Sequence, residues 1–496
     1  MPIKLLIANR GEIALRIIRT CRKLGISTVL LCSDADRNSL PVKYADDTFS
    51  LSGATPKETY LNADEVIRAA IETECDGIHP GYGFLSEDAR FAKACEEHGQ
   101  VFVGPSSDSI EKLENKLTAR KTMQEVGIPI IPGSVKPLQG ESEAVAVAEN
   151  IGFPVILKAV YGGGGRGMRI AKSAEEIRKV YHLTRMEATS SFGRGELYIE
   201  KKLANPRHVE IQTLAEKRGH VVVLGERECS IQRRHQKLLE ESPSIGIDDA
   251  MRFTLSSAAR KGLEATGYTN AGTVEFLIDD SESFYFLEVN KRLQVEHLVT
   301  ELTTGIDIVE EQLSIAFESH MNLSQNEVKI RGWAINCRIN AEDPRNGFNP
   351  SPGKVTYYHA PAGPGVRVDS AIYSGYLVPE HYDSLIVKLA AYGRNREDSI
   401  RRLRSALNEI EVAGIPTTIP LHQLITTEKN FNYGDFNTTY LDNLEPRLVE
   451  ALNQLEETAA ALAAAAMAAR GPPNSFRVHK SNWQRFARMQ MHRQGL

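Results

Sequence analysis

The first hundred residues alternate short apolar runs with longer amphipathic stretches. KLLIA is a run of strand length. EIALRIIRTCRKLG then places Ile13, Ile17, Cys21 and Leu24 on one helical face and meets a stop at Gly25, after which STVLLCS reads as the next strand. ADEVIRAAIET, DGIHP, SEDARFAKACEEHG and VFVG continue the rhythm. Apolar strands separated by amphipathic helices are the pattern of a parallel sheet covered on both faces, so a doubly wound α/β layer is predicted over residues 1–114.

Beyond it the period changes. Residues 115–205 predict a helix at TARKTMQEVG, a glycine-rich turn joining FPVILKA to MRIA, a helix starting at Ser173 with Glu176 as its capping-box partner, and the strand LYIEKKL. Residues 206–330 turn to the alternation of antiparallel hairpins: RHVEIQTLAE with HVVVLGERE about Arg218-Gly219, and TVEFLI with FYFLEVN across DDSES. A third region, 331–445, opens with RGWAINCRINAEDP, continues through GKVTYYHA and closes on the helix REDSIRRLRSALNEI. The remainder, 446–496, predicts a helix with Pro446 in its first turn, ending at Gly471-Pro-Pro. A basic end follows, in which Trp483, Phe486 and Ala487 form either a partner-facing helical stripe or part of a frayed terminus.

Charge narrows the classes. The chain has 59 basic against 64 acidic residues, which implies neither nucleic acid nor a membrane surface as a main partner. Six cysteines without any CxxC offer no zinc site and fit buried thiols in a reducing compartment. No signal-peptide pattern opens the chain, and no run reaches the roughly 18 apolar residues of a membrane span. A soluble cytoplasmic protein is expected.

Candidate chemistry begins at KAVYGGGGRGM, Lys158 to Met168. It satisfies GxGxxG at Gly162, Gly164 and Gly167, but a dinucleotide site needs a helix opening directly from the turn, and here a second strand follows. A Walker A loop fails as well, because Met168 and Arg169 stand where Lys and Ser/Thr are required. The glycines therefore read as a hairpin tip whose bare N–H groups close over an anion. In the next region, a turn centred on DDSES is expected to set Glu275 opposite Glu288 on one face. Two carboxylates so placed repel unless a cation lies between them, and hard oxygen ligands suit Mg²⁺ or Mn²⁺. The flanking Phe276, Leu277, Phe286 and Leu287 argue against a solvated acidic face.

Alternation carried past Glu288 puts Asn290, Arg292, Gln294 and Glu296 on the same side of an extended segment, with Val289, Leu293 and Val295 behind. An edge strand shows the same pattern; the mixture of carboxylate, amide and guanidinium favours an active-site floor. Arg233, Arg234, His235 and Lys237 fall within five residues, which alone reads as a solvated loop. Arg338 projects opposite the apolar face of Trp333, Ile335, Cys337 and Ile339, which alone reads as a surface salt bridge.

IANRGEIALR, HPGYGFLSE, LKAVYGGGGRGM, RHVEIQ, RECSIQRRHQK, LEVNKRLQVEH and CRINAEDP together resemble, in family order over about residues 1–445, the biotin carboxylase component of biotin-dependent carboxylases. The resemblance implies an ATP-grasp fold (α/β, α+β) with an N-terminal doubly wound layer, a mobile lid at about 131–203 within residues 115–330, and a C-terminal mixed sheet. It implies that Gly163, Gly164, Gly165, Gly167 and Met168 belong to a lid closing over ATP phosphates that Lys116 and Lys158 contact. Glu200, Lys201 and Leu203 would line the adenine pocket, and His208, Gln232 and His235 would help hold the nucleotide. Glu275, Glu288 and Asn290 match a site for two Mg²⁺ or Mn²⁺ ions; Lys237, Arg292, Gln294, Val295 and Glu296 match a bicarbonate pocket with Glu296 as base. Arg338 matches the residue that stabilises the biotin enolate, with Tyr82 in a loop near biotin.

Departures from the family pattern are Lys291, Leu298, Trp333 and Asn336; alternation turns Lys291 and Trp333 away from the catalytic file and leaves Asn336 on the Arg338 side. The implied partners are biotin carboxyl carrier and carboxyltransferase chains and a second copy of this chain. The implied acceptor is pyruvate, in a two-subunit pyruvate carboxylase, ahead of acetyl-CoA or propionyl-CoA. The alternatives are another ATP-grasp carboxylate ligase, against which RLQVEH argues, and a nucleotide-gated assembly subunit.

Overall fold

The structure, a computed structural model, describes residues 3–162, 167–321 and 323–469. Strands β1 (Lys4–Ile7), β2 (Ser27–Cys32), β3 (Asp47–Ser50), β4 (Gly77–His79) and β5 (Val101–Phe102) pair in parallel in the order β3-β2-β1-β4-β5. The helix Gly11–Leu24 stops at Gly25, whose φ of 71° is in the left-handed region, as its sequence predicts. Strand order reverses between β1 and β4, so the loops that follow these two strands leave in opposite directions. Asn9, just after β1, donates to the carbonyls of Pro80 (2.7 Å) and Tyr82 (2.8 Å), bridging the two loops and fixing the one that carries Tyr82.

A smaller three-stranded unit has its own core. Strands β6 (Val155–Ala159), β7 (Met168–Ala171) and β8 (Leu197–Lys201) form an antiparallel sheet in the order β7-β6-β8, packed through Leu157, Ala171, Ile177 and Ile199. Ser173 Oγ accepts from Glu176 N–H at 3.2 Å while Glu176 reaches back to Lys172 N–H at 2.7 Å, the reciprocal start expected of that sequence. Gly162 has φ 91°, and a Cβ there would lie 2.3 Å from the Phe192 ring, so close packing explains this glycine. Gly163, Gly164 and Gly165 lie outside the described residues, as do Trp483, Phe486 and Ala487.

Apart from short two-stranded pairs between residues 342 and 413, eight strands build one large sheet: β9 (Arg207–Ala215), β10 (Val221–Arg233), β11 (Gln236–Ser242), β12 (Asn270–Ile278), β13 (Phe284–Asn290), β14 (Trp333–Asn340), β15 (Val366–Ser370) and β16 (Leu385–Gly393). Their order is β13-β12-β9-β10-β11-β14-β16-β15, antiparallel at every pairing. The C-terminal sheet is therefore not mixed, and it does not stand apart. β11 offers its open edge to β14, so residues 331–445 extend the preceding sheet. One face of β9, β12 and β13 is apolar and buries Val209, Ile211, Val274, Phe276 and Phe286 against the helices Lys116–Glu125 and Asp249–Thr266. The opposite face is polar.

The chain divides into compact units at residues 1–446 and 447–496. The predicted start of the last helix is corrected: it spans Tyr440–Ala469 with Pro446 inside. An Asn437 turn, accepting from Thr439 N–H at 2.9 Å, starts it earlier than the proline does.

Candidate active site

On the polar face, Glu288, Glu275, Glu210 and Arg227 stand directly opposite one another across β13, β12, β9 and β10. The turn alone would not set this row. Ile278 pairs with Phe284 and Phe276 with Phe286, a register that would oppose Glu275 to Leu287; an extra residue at Leu287 shifts the ladder and brings Glu288 across instead.

Three adjacent carboxylates need a cation, and Lys237 from β11 supplies it. Its Nζ lies 2.5 Å from Glu210, 2.7 Å from Glu275 and 2.8 Å from Glu296. Burial alone would lower the Lys237 pKa, but these three charges hold it well above the ordinary value. Burial likewise pushes the Glu296 carboxyl up, and Lys237, Arg338 and Arg227 outweigh it, leaving Glu296 well below the usual range and ionised. Glu275, in addition, accepts from Asn290 at 2.7 Å and lies 3.0 Å from His208 Nε2.

Past Asn290 the extended-segment expectation fails. The chain leaves the sheet, and Glu296 (φ −82°, ψ 8°) becomes the N-cap of the helix His297–Thr304, which lies on the polar floor with Thr300 accepting from Arg227 at 3.0 Å. The polar side chains still converge, because the turn folds them inward. Arg292 donates to Glu87 (3.0 Å) and to Gln294 Oε1 (3.0 Å). Lys291 does not face away: its N–H donates to Glu87 at 2.9 Å and its Nζ lies 3.9 Å from the same oxygen. Trp333 does face away, donating to Glu241 at 2.7 Å, while Asn336 and Arg338 both hold Glu240, at 2.7 and 2.5 Å. Arg338 also donates to Glu296 at 2.9 Å. It is no surface arginine.

The RRHQK segment is not a loop either. β10 and β11 continue to a two-residue tip, Arg234 and His235, both with positive φ (49° and 66°), and His235 is exposed there. Gln232 Nε2 lies 3.4 Å from His208 Nδ1. The hairpin is braced from outside: Arg233 makes a two-pronged contact with Glu445 (3.1 Å each) and its guanidinium lies 4.1 Å over the Phe348 ring.

Between β6 and β8, Lys158 pairs with Glu200 at 2.5 Å, and Arg120 bonds the other oxygen of the same carboxylate. Lys201 Nζ caps the carbonyls of Gly152 and Phe153 at 2.9 Å each. The side chains of Glu200 and Lys201 are thus committed within the protein. Leu203 is half-buried in the turn after β8. Lys116 opens its helix close to Glu288, Lys158 and Lys291, and burial pushes its pKa down. Gly167 donates to Glu187 at 3.1 Å beside Met168 at the start of β7.

Ligand fit follows from unmet needs. Gln294 Nε2 is buried without a partner, next to Arg292, which suits a small anion such as bicarbonate. For a metal, Glu288 and Asn290 offer hard oxygens, and burial with the neighbouring Glu275 pushes the Glu288 carboxyl up, so a cation there relieves it. Among the described residues, closely converging ligand atoms occur at His208, Glu210 and Glu275 and at Glu210, Cys229 and Glu296; Lys237 already bonds carboxylates of both groups. Sequence reasoning missed Glu210, Arg227, Glu240 and Glu87. Glu210 was readable, since alternation in RHVEIQ puts it beside His208.

The sequence matches three family descriptions in order: Biotin carboxylase, N-terminal domain, over residues 1–110; Carbamoyl-phosphate synthase L chain, ATP binding domain, over 115–324; and Biotin carboxylase C-terminal domain, over 336–443. The chain belongs to the biotin carboxylase family. It is 50% identical to Biotin carboxylase 1 of Bacillus subtilis, covering 89% of this chain and 98% of that one, and 46% identical to a pyruvate carboxylase subunit of Methanothermobacter thermautotrophicus, covering 88% and 89%. A solved biotin carboxylase domain dimer of the Hydrogenobacter thermophilus 2-oxoglutarate carboxylase, in complex with MgADP, ADP and bicarbonate, superposes with a TM-score of 0.88 at 45% identity, covering 90% and 98%. The activity of this chain is that of an ATP-dependent ligase, the biotin carboxylase half-reaction of a biotin-dependent carboxylase. Among the described residues no helix is long and apolar enough to cross a membrane.

Proposed function

We propose that this chain is the biotin carboxylase subunit of a two-subunit pyruvate carboxylase, acting as a homodimer in the cytoplasm on biotin presented by a separate carrier chain. The likeness to the Methanothermobacter pyruvate carboxylase subunit supports the acceptor, the dimeric neighbour supports the assembly, and six unpaired buried cysteines suit a reducing compartment. The observation that carries the site assignment is the unbroken polar run from Gln232 through His208, Glu275, Lys237 and Glu296 to Arg338, which joins a nucleotide end to a biotin end.

In this reading Lys116, Lys158 and the Gly163–Met168 hairpin hold the ATP phosphates, the main chain at Glu200, Lys201 and Leu203 meets adenine, and His208, Gln232 and His235 hold the nucleotide. Arg292, Gln294, Val295 and Lys237 bind bicarbonate. An oxygen of bicarbonate bonds to the γ-phosphorus as ADP leaves, Glu296 taking its proton, and the cations hold the developing charge. Glu275, Glu288 and Asn290 would hold Mg²⁺ or Mn²⁺, which when bound would supply neutralisation of phosphate charge. Carboxyphosphate splits to CO₂ and phosphate behind the lid, which excludes water. The ureido nitrogen of biotin, near Tyr82, gives its proton to the phosphate released from carboxyphosphate; the resulting enolate is paired with Arg338 and its nitrogen bonds CO₂. Bicarbonate-dependent ADP release with free biotin, followed by co-purification and assays with pyruvate, acetyl-CoA and propionyl-CoA, tests the reading. Carboxylation of a coenzyme A ester and not of pyruvate overturns the acceptor.

Two narrower outcomes are expected. In Glu288→Gln the Mg²⁺ concentration for half-maximal ADP release should rise at least about tenfold, with metal-free nucleotide binding by calorimetry unchanged; an unaltered metal dependence removes Glu288 from the metal site. Glu445→Gln should loosen the Arg233 brace and raise the KM for ATP about two- to fivefold, leaving that for bicarbonate unchanged. Equal shifts in both would mean that the brace does not act on the nucleotide hairpin.

A further inference from the structure

Lys388 is fully buried, at 0% exposure, in the middle of β16. Cross-strand pairing sets it directly beside Arg338 on β14 and Asp369 on β15. Its Nζ lies 2.9 Å from Glu12 Oε2, donates to the Val295 carbonyl at 3.2 Å, lies 3.9 Å from Asp369 and sits 5.8 Å from the centre of the Tyr82 ring. Glu12 in turn accepts the Tyr82 hydroxyl. One ammonium thus meets the N-terminal layer through Glu12 and the turn before the helix His297–Thr304 through Val295.

We propose that Lys388 is a positioning residue that sets the Tyr82 loop and the Val295–Glu296 peptide against each other, so that the biotin-facing and bicarbonate-facing sides of the site share one reference point. The proposal rests on the roles given above to Tyr82, Val295 and Glu296. Its physical basis is the cost of the arrangement: a buried ammonium and its carboxylates are commonly replaceable by apolar packing without loss of stability, so cohesion alone does not call for a lysine here. What apolar packing cannot do is hold a carbonyl in one orientation. Val295 precedes the residue whose carboxylate must stay between Lys237 and Arg338, and a rotation of that peptide would move Glu296 out of both contacts. Placement errors of about 1 Å are enough to cost about 10²-fold in rate.

Lys388→Met with Glu12→Gln removes the cation and the acid it would leave unpaired. The purified double variant should unfold at nearly the wild-type temperature and keep its KM for ATP within about twofold, while its KM for bicarbonate rises about tenfold and carboxylation of free biotin falls about 10²-fold. A folded double variant with wild-type bicarbonate KM and carboxylation overturns the proposal, as does a parallel shift in the ATP KM. If the double variant does not fold, Glu12→Gln alone decides: it keeps an acceptor for Tyr82 but weakens the hold on Lys388, and should raise the bicarbonate KM and lower biotin carboxylation, whereas wild-type values for both overturn the proposal. Wild-type protein lacking bicarbonate-dependent ADP release would instead refute the site reading on which the proposal rests.

Discussion

Arg338→Gln is expected to lose biotin carboxylation by about 10²- to 10³-fold while keeping slow bicarbonate-dependent ATP hydrolysis. Arg338 is held by two carboxylates with different fates when it is removed. Glu240 is pushed up by burial and keeps Asn336 as a partner, so it can take a proton and remain in place. Glu296 keeps Lys237 at 2.8 Å and stays ionised, which on the proposed reading preserves the base that acts on bicarbonate. On the proposed reading, the enolate of biotin by contrast loses the donor that Arg338 supplies. ADP release and carboxybiotin formation measured in parallel decide the matter. Equal loss in both, or in neither, would mean that Arg338 does not serve the second step.

Lys237→Met is expected to abolish both steps and to change how stability depends on pH. In the wild type, Lys237 is raised and Glu275 and Glu296 are lowered relative to their ordinary values. The lysine contribution is fully present below its unfolded pKa of about 10.4 and is lost as pH rises through the higher folded value; the carboxylate contributions are present above about 4.3 and are lost as pH falls through their lower folded values. Stability should therefore be flat in this respect between about pH 5 and 9.

Without Lys237, Glu210, Glu275 and Glu296 share a buried space; Glu210 keeps Arg227, Glu275 keeps His208, and Glu296 keeps Arg338 with Arg227 farther off. Repulsion and burial then raise the folded pKa values of Glu275 and Glu296 above the unfolded ones. The folded state binds more protons than the unfolded state above about pH 4.3, and stability falls as pH rises. At neutral pH the loss should be on the order of 3 kcal/mol, the lower part of the range for breaking a buried pair, because partial partners remain. Unfolding midpoints at pH 5 and pH 8 check the slope; a variant as insensitive to pH as the wild type would show that the three carboxylates do not depend on this lysine.

Local signals were legible without the fold because they depend on nearby backbone geometry alone. The Ser173 and Glu176 helix start, the Gly25 stop and the parallel layer of the first hundred residues follow from capping, left-handed φ and the spacing of apolar positions, and the structure repeats them. The ATP-grasp family pattern was also carried by the sequence, since its motifs are long and ordered.

Tertiary structure decided what spacing cannot encode. A single extra residue at Leu287 brought Glu288 opposite Glu275; a bulge reverses the facing of every residue beyond it, and no periodic count from the turn reveals it. The turn after Asn290 swung Lys291 toward Glu87, because alternation ends where the strand does. The carboxylates around Lys237 come from three separate segments, and Lys388 joins Glu12 and Val295, which are distant from each other in the chain. Buried ion pairs form between residues distant in the chain because only the folded sheet removes water from both partners at once.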